Sequence, residues 1–525
     1  MGLGSPSKGE FPQIGSKLLR LGKTACLRPR QSNSPSGNFW VAWCPLRFYP
    51  TSLVSQFPPQ PPRDILARRS FLKQSAIASG FLGLGLYLRA DKGDKPPGRV
   101  INPYGPLVPD KAKLLDLPAG FTYQVISKRG TPMSDGLRVP GKFDDMAAFP
   151  GAAGRIILIR NHELAVNQPE LGPFPDHRIP PNLDRELVYD PGEGDAPPQF
   201  GGTTTLVYNP ATGKTEREFL SLAGSERNCS GGVMPWGSWI TCEETDNLEA
   251  TPRNRLHGYC FEVKADPDLG LQKAVALKGL GRFRHEAVAC DPADGSIYLT
   301  EDREDGLLYR FIPDRRQDLR HGRLYALAVT RKKSADLRNH QPKSGRLITE
   351  GQRLAIHWIA LDDPTSPKDD LRTRGFKKGA ARFARAEGIF YDKDALYLCC
   401  TNGGPEKRGQ IFRILPKNAK RPDAMVELFL EPWESDLLTS GDNLCVAPNG
   451  DLIICEDLID PFKKQQLPHL RGVTPEGKIF TFARNPDARN KNEFCGSIFS
   501  PDGSILFVNI QTLDHTFAIK GPWRG

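Results

Sequence analysis

One pattern constrains the fold of this chain more than any other. A tight turn of Gly, Asn, Asp or Pro leads at once into an alternating run of aliphatic and aromatic residues, at 151–159, 235–240, 291–299, 392–398, 448–454 and 501–507. Gly237 and Gly295 are 58 residues apart, Asp394 and Gly450 56, and Gly450 and Gly503 53, while Gly295 to Asp394 spans 99, with the basic, polar stretch 331–346 reading as an insertion. Helical periodicity is scarce, and strand patches bounded by turn residues dominate. A sheet unit of this size cannot bury both faces alone, so the units are expected to stack in a ring. The fold class expected is all-β, a β-propeller of about six blades with loop insertions.

The polar residues keep phase with these units. Seven to ten residues before the turns stand Asp145, Cys229, Glu286, Glu387, Asp442 and Glu493, with Cys495 as an alternative in the last unit. The first strand of each propeller blade lines the central channel, so these side chains are expected to converge on one axial site. Near the outgoing ends of the second strands lie Asn161, His162 and Glu163, then Glu243 and Glu244, Glu301 and Asp302, Asn402, and Glu456 and Asp457. Carboxylates gathered without partners raise one another's pKa values and destabilise a fold, so such a ring requires cations. Hard oxygen donors suit Ca²⁺, and a thiolate among them suits a transition metal such as iron. Cys229 itself sits in Asn228-Cys229-Ser230-Gly231-Gly232, where two glycines allow another group to approach the backbone closely.

The formal net charge of +10 suggests a polyanionic partner until its position is examined. Residues 1–90 hold twelve Lys and Arg against two Asp and Glu, leaving 59 of each in the remainder. The rest of the chain is therefore neutral and carries no nucleic-acid footprint. Arg68-Arg69-Ser70-Phe71-Leu72-Lys73 followed by an uncharged Gly/Ala/Ser/Leu stretch resembles a twin-arginine export signal, too short and glycine-rich for a stable membrane span. We expect residues 1–63 to be a disordered extension or a misassigned start, 64–90 the signal peptide, and 91–525 a single domain, periplasmic or secreted. The nine cysteines beyond residue 90 show no regular spacing, so neither a disulfide framework nor structural zinc is expected. Most lie in apolar runs and read as buried small hydrophobes, Cys229 and Cys495 being the exceptions.

Several motifs in one order resemble the PhoX family of secreted alkaline phosphatases. They are Asn228-Cys229-Ser230-Gly231-Gly232 with Pro235-Trp236-Gly237 and Thr241-Cys242-Glu243-Glu244; Arg282-Phe283-Arg284-His285-Glu286-Ala287; Ala384-Arg385-Ala386-Glu387-Gly388; Gly441-Asp442-Asn443; and Gly521-Pro522-Trp523. The resemblance implies a metal-dependent hydrolase of phosphate monoesters with ferric iron and Ca²⁺ in its channel. It implies Cys229 as an iron ligand, Glu286 and Glu387 as metal ligands, and Asn161, Glu163 and Asp442 as calcium ligands, beside Asp145 from the repeat phase. Arg385 would hold a phosphoryl oxygen, with Asn228 and Trp236 shaping the pocket. The implied partners are small-molecule phosphate esters and, during export, the twin-arginine translocase, with the mature protein a monomer. Two other readings stand beside it: a calcium-dependent lactonase-like propeller hydrolase, which leaves Cys229 unexplained, and a noncatalytic secreted propeller tied together by calcium.

Overall fold

Each turn-and-strand unit folds as an antiparallel meander, seen in a computed structural model that describes residues 99–245, 255–341, 345–418, 421–433, 437–457, 467–487 and 493–524. The extension 1–63 and the signal 64–90 lie outside the described residues. Blade I consists of Phe143–Pro150, Ile156–His162, Gly201–Asn209 and Lys214–Ser225. Blade II has three strands among the described residues, Asn228–Met234, Ser238–Glu243 and Cys260–Lys264. Blade III is His285–Cys290, Ile297–Glu301, Gly306–Pro313 and Gly322–Val329. Blade IV is Ala386–Asp392, Ala395–Cys400, Gln410–Leu415 and Met425–Leu430. Blade V runs from Gly441–Val446 through Leu452–Glu456 and His469–Val473 to Ile479–Arg484.

Blade VI joins the two ends of the chain. Its strands Phe494–Phe499, Ile505–Ile510 and His515–Lys520 are completed by Thr122–Lys128, with His515 opposite Lys128 and Lys520 opposite Thr122. Trp523 covers this seam, its ring stacked on Phe482 at 5.1 Å and edge-on to Phe121 and Phe499. Aromatic pairs of this kind contribute about 0.5–1.5 kcal/mol each beyond their burial. The first strands of the six blades pack in sequence around a closed ring, I on II through to VI on I. This is the six-bladed propeller expected from the repeats.

The hydrophobic cores lie between neighbouring blades, which explains why central strands are buried on both faces. Ile156–Ile159 of blade I shows no exposed position, because alternate side chains enter different interblade cores. The insertion at 331–346 is the start of a longer excursion. It continues into a strand, Arg353–Ala360, and an α-helix, Leu371–Lys378. The extra strand pairs with the outer strand of blade III at one end and that of blade IV at the other, joining two blades in one sheet. Among the described residues no helix is long and apolar enough to cross a membrane.

Candidate metal centre in the propeller channel

Every inner strand slips register at the same place. The irregularities fall between Phe143 and Met146, Asn228 and Gly231, His285 and Val288, Ala386 and Ile389, Gly441 and Leu444, and Cys495 and Ile498. A bulge re-aims the side chain at its start. That position holds Asp144, Cys229, Glu286, Glu387 and Asp442 in blades I to V, and Gly496 in blade VI. Gly496 has φ +61°, and a Cβ there would stand 2.8 Å from the Asp144 carbonyl, so the last blade reaches the first only without a side chain. Gly232 meets the same demand, its missing Cβ lying 1.9 Å from the Val288 carbonyl of blade III.

The ligand atoms of Cys229, Glu244 and Glu286 all lie within 4.8 Å of one another, as do those of Glu286, Glu387 and Asp442. Glu286 belongs to both groups. Both its carboxylate oxygens are buried with no hydrogen-bond partner, and it is 0 % exposed. Burial, reinforced by neighbouring acids, pushes Asp144, Glu286, Glu387 and Asp442 well above the usual carboxylate range, and the Cys229 thiol up as well. An outer layer of Glu163, Glu244, Asp302, Asp457 and Glu493 surrounds this ring. Burial and nearby acids raise Glu244 and Glu493 to about 8. Asp302 moves the other way, since Arg385 and Arg284 outweigh its burial.

Four bases sit among these acids, each two residues before a ring residue: Lys142, Arg227, Arg284 and Arg385. Three of them, with Ser440 at the matching position of blade V, adopt left-handed backbone, with φ between 47° and 52°. Such conformations are uncommon outside glycine and persist where surrounding structure enforces them. Lys142, Arg227, Arg385 and Ser440 each accept through their carbonyl from Glu163, Glu244, Thr401 and Asp457 just past the second strand, and Arg284 accepts likewise from Asp302 without the left-handed turn. Arg385 reaches Asp302 at 2.9 Å, Glu387 at 2.7 Å and Asp457 at 3.3 Å. Arg227 bridges Glu163 at 2.5 Å and Glu244 at 3.0 Å, and Arg284 pairs with Glu244 and Asp302. The named acids still outnumber the bases, and the partnerless Glu286 sits where they converge. Oxygen donors with one sulfur fit bound cations.

The structure therefore brings together Cys229, Glu286, Glu387, Asp442, Glu163 and Arg385. Four expected residues are placed differently. Asp145 is one step out of phase, since Asp144 occupies the ring position. Its carboxylate accepts from Ser230 Oγ at 2.5 Å and lines an apolar cavity of about 240 Å³ beyond the bulges, with Trp239, Val288 and Ile389. Asn161 donates to the Cys229 and Ser230 carbonyls at 3.0 and 2.8 Å and accepts from Trp239 Nε1 at 2.9 Å. It ties down the cysteine strand, and the Trp239 indole takes one lone pair of its amide oxygen. Asn228 is fully buried, accepting from Ser225 Oγ and donating to Thr241 Oγ1, so it fixes the strand and does not line the pocket. Trp236 lies in the hairpin turn seven residues beyond Cys229, about 20 Å away along a strand, its indole donating to Glu262 at 2.7 Å. Of the alternatives in the last unit, Glu493 joins the outer layer, whereas Cys495 donates to the Phe143 carbonyl at 3.1 Å. Asp144, Lys142, Arg227 and Arg284 escaped the sequence reading, although the step from Arg385 to Glu387 repeats as Lys142-x-Asp144, Arg227-x-Cys229 and Arg284-x-Glu286.

A six-bladed propeller whose channel gathers buried acids and a cysteine defines a metalloprotein scaffold. The chain belongs to the alkaline phosphatase PhoX family, whose model matches residues 102–211 and 201–514. It is accordingly a phosphatase of the alkaline phosphatase type, and family membership brings metal dependence. Among solved structures, Pseudomonas fluorescens PhoX in complex with vanadate, a transition-state analogue, is similar. It shares 18 % identity over 81 % of this chain and 98 % of that one, with a TM-score of 0.59. A gluconolactonase from Xanthomonas campestris aligns at 13 % identity over 80 % of this chain and 99 % of its own, with a TM-score of 0.37, too low to carry an argument. No curated protein matches the chain.

Proposed function

We propose that this protein is an exported phosphatase that hydrolyses phosphate monoesters at a mixed iron and calcium centre in the propeller channel. The observation carrying this reading is Glu286, a fully buried carboxylate with two partnerless oxygens, shared between two groups of donors. Cys229, Glu244 and Glu286 are the donors suited to iron, because they include the thiol. Glu286, Glu387 and Asp442, with Asp144 and Glu163 beside them, are the oxygen donors suited to calcium. When bound, such cations neutralise phosphoryl oxygens and stabilise the departing alkoxide.

The chain's own contribution is orientation. Arg385 projects a planar guanidinium beside the ring, gripped by Asp302 and Asp457, and offers parallel N–H donors to a phosphoryl group. Glu387, Asp302 and Asp457 are the residues that would hold a cation beside it, and the same acids fix the guanidinium at the ring. Arg227 and Arg284 stand in equivalent places and bring further positive charge to the mouth. Phosphoryl transfer asks chiefly for this positioning and charge stabilisation. The lactonase-like alternative gives no role to Cys229, whose thiol faces the acids at the ring. Export and a periplasmic or secreted location rest on the Arg68-Arg69 motif.

The deciding experiment is Cys229→Ser. Wild-type protein should contain iron and calcium and turn over an aryl phosphate. The variant should fold and keep calcium while losing iron, thiolate-to-iron absorption and turnover. Retention of iron and full activity would overturn the assignment.

A further inference from the structure

A second cluster of soft donors lies away from the channel, in the core between blades II and III. Cys242 and Cys260 stand opposite each other on the second and third strands of blade II, their Sγ atoms 3.6 Å apart. Cys260 Sγ is 3.3 Å from Nδ1 of His285, on the first strand of blade III. All three residues are 0 % exposed. The imidazole is held in one tautomer: Nε2 donates to the Gly281 carbonyl at 3.1 Å, which leaves the Nδ1 lone pair facing the sulfurs. Phe283 stacks on the ring at 3.6 Å and fixes its plane.

We propose that Cys242, Cys260 and His285 bind one soft divalent cation of the Zn²⁺ class, pinning blade II to blade III. Two thiolates and an imidazole around a single tetrahedral ion lie about 3.5–3.8 Å apart, given Zn–S near 2.3 Å and Zn–N near 2.0–2.1 Å, and the observed separations are close to these. The histidine has the second contact typical of metal-binding imidazoles, a ring N–H held by a backbone carbonyl. Binding displaces the two thiol protons to solvent and leaves two thiolates offset by one dication, a neutral complex suited to a dry core. A disulfide would have no use for the histidine. The proposal is independent of the channel chemistry.

The test uses full-length protein stripped with chelator and reloaded with Zn²⁺, with the channel thiol removed throughout, comparing Cys229→Ser with the double variant Cys229→Ser/Cys260→Val. Tightly held zinc should be higher by one equivalent per chain in Cys229→Ser than in the double variant. Co²⁺ in its place should give thiolate-to-cobalt absorption in Cys229→Ser that the double variant loses. X-ray absorption at the zinc edge of Cys229→Ser, which needs no change at the new site, should show two sulfur neighbours and a nitrogen. Equal zinc in Cys229→Ser and the double variant, an absorption shell of oxygen and nitrogen alone, or unreduced peptides joined by a Cys242–Cys260 disulfide would each overturn it.

Discussion

Two fully buried glutamates at the edge of the same channel are treated in opposite ways. Glu243 accepts from the backbone N–H groups of Glu226, Gly258 and Tyr259, and from His257 Nδ1 at 2.7 Å. His257 is clamped on its other nitrogen by Asp190 at 3.3 Å. Burial works against its charge, but Glu243 and Asp190 prevail and raise its pKa to about 10. Glu286 has none of this. The chain therefore can satisfy a buried carboxylate with its own groups, and at Glu286 it does not, which is the contrast the proposed metal centre rests on.

Removing each carboxylate separates the two cases most sharply. Glu286→Gln should abolish aryl-phosphate turnover and deplete iron, yet leave the metal-free protein's stability within about 1 kcal/mol, since no protein partner is lost. Glu243→Gln should do the reverse in kind, destabilising the fold by about 3–5 kcal/mol through the stranded His257, readable in a denaturant titration. If both variants lost stability equally, the contrast would collapse.

The pH response sharpens it further. Glu244 and Glu493 titrate near 8 in the folded, metal-free state against an ordinary value of 4.5. Raised carboxyl pKa values mean that the fold holds protons the unfolded chain releases, so this stability is complete below the ordinary value and lost as pH rises through about 8. The melting temperature of metal-free protein should thus fall between pH 5 and 9, and calcium should flatten the curve. Arg385→Lys keeps the charge but loses the planar fork, so kcat should drop about 10- to 100-fold with metal content constant. The smallest effect expected is from deleting residues 1–90, which should leave the melting temperature of the metal-loaded protein unchanged.

Much of this site was legible because turn spacing carries phase. Counting back from each turn reaches Cys229, Glu286, Glu387 and Asp442, and the hairpin periodicity alone implies the ring. Asp145 failed because two adjacent aspartates offered themselves and the bulge decides between them; a one-residue irregularity leaves no mark in composition. Asn161 and Asn228 were hard to read for a different reason. An amide serves a cation or a backbone equally well, and only the structure shows the bonds each makes, to the cysteine strand and Trp239 in one case and to Ser225 and Thr241 in the other. Trp236 was avoidable, since its place in a turn already set it a full strand away from Cys229. The pairing of Cys242 with Cys260 was not readable at all, because residues 246–254 give no hint of the register that brings them opposite.

The closure of blade VI has a consequence for biosynthesis. Thr122–Lys128 emerges early from the ribosome, yet its partner His515–Lys520 is made almost 390 residues later. At about 5–20 residues per second, that strand waits roughly 20–80 s with an open edge. Because the ring residues come from five blades and the sixth closes the circle, no nascent fragment can assemble the channel. The gathered ring of donors is a property of the finished chain alone, and a ribosome-stalled intermediate lacking the last strands should leave Glu286 exposed to water and unable to gather the donors it shares.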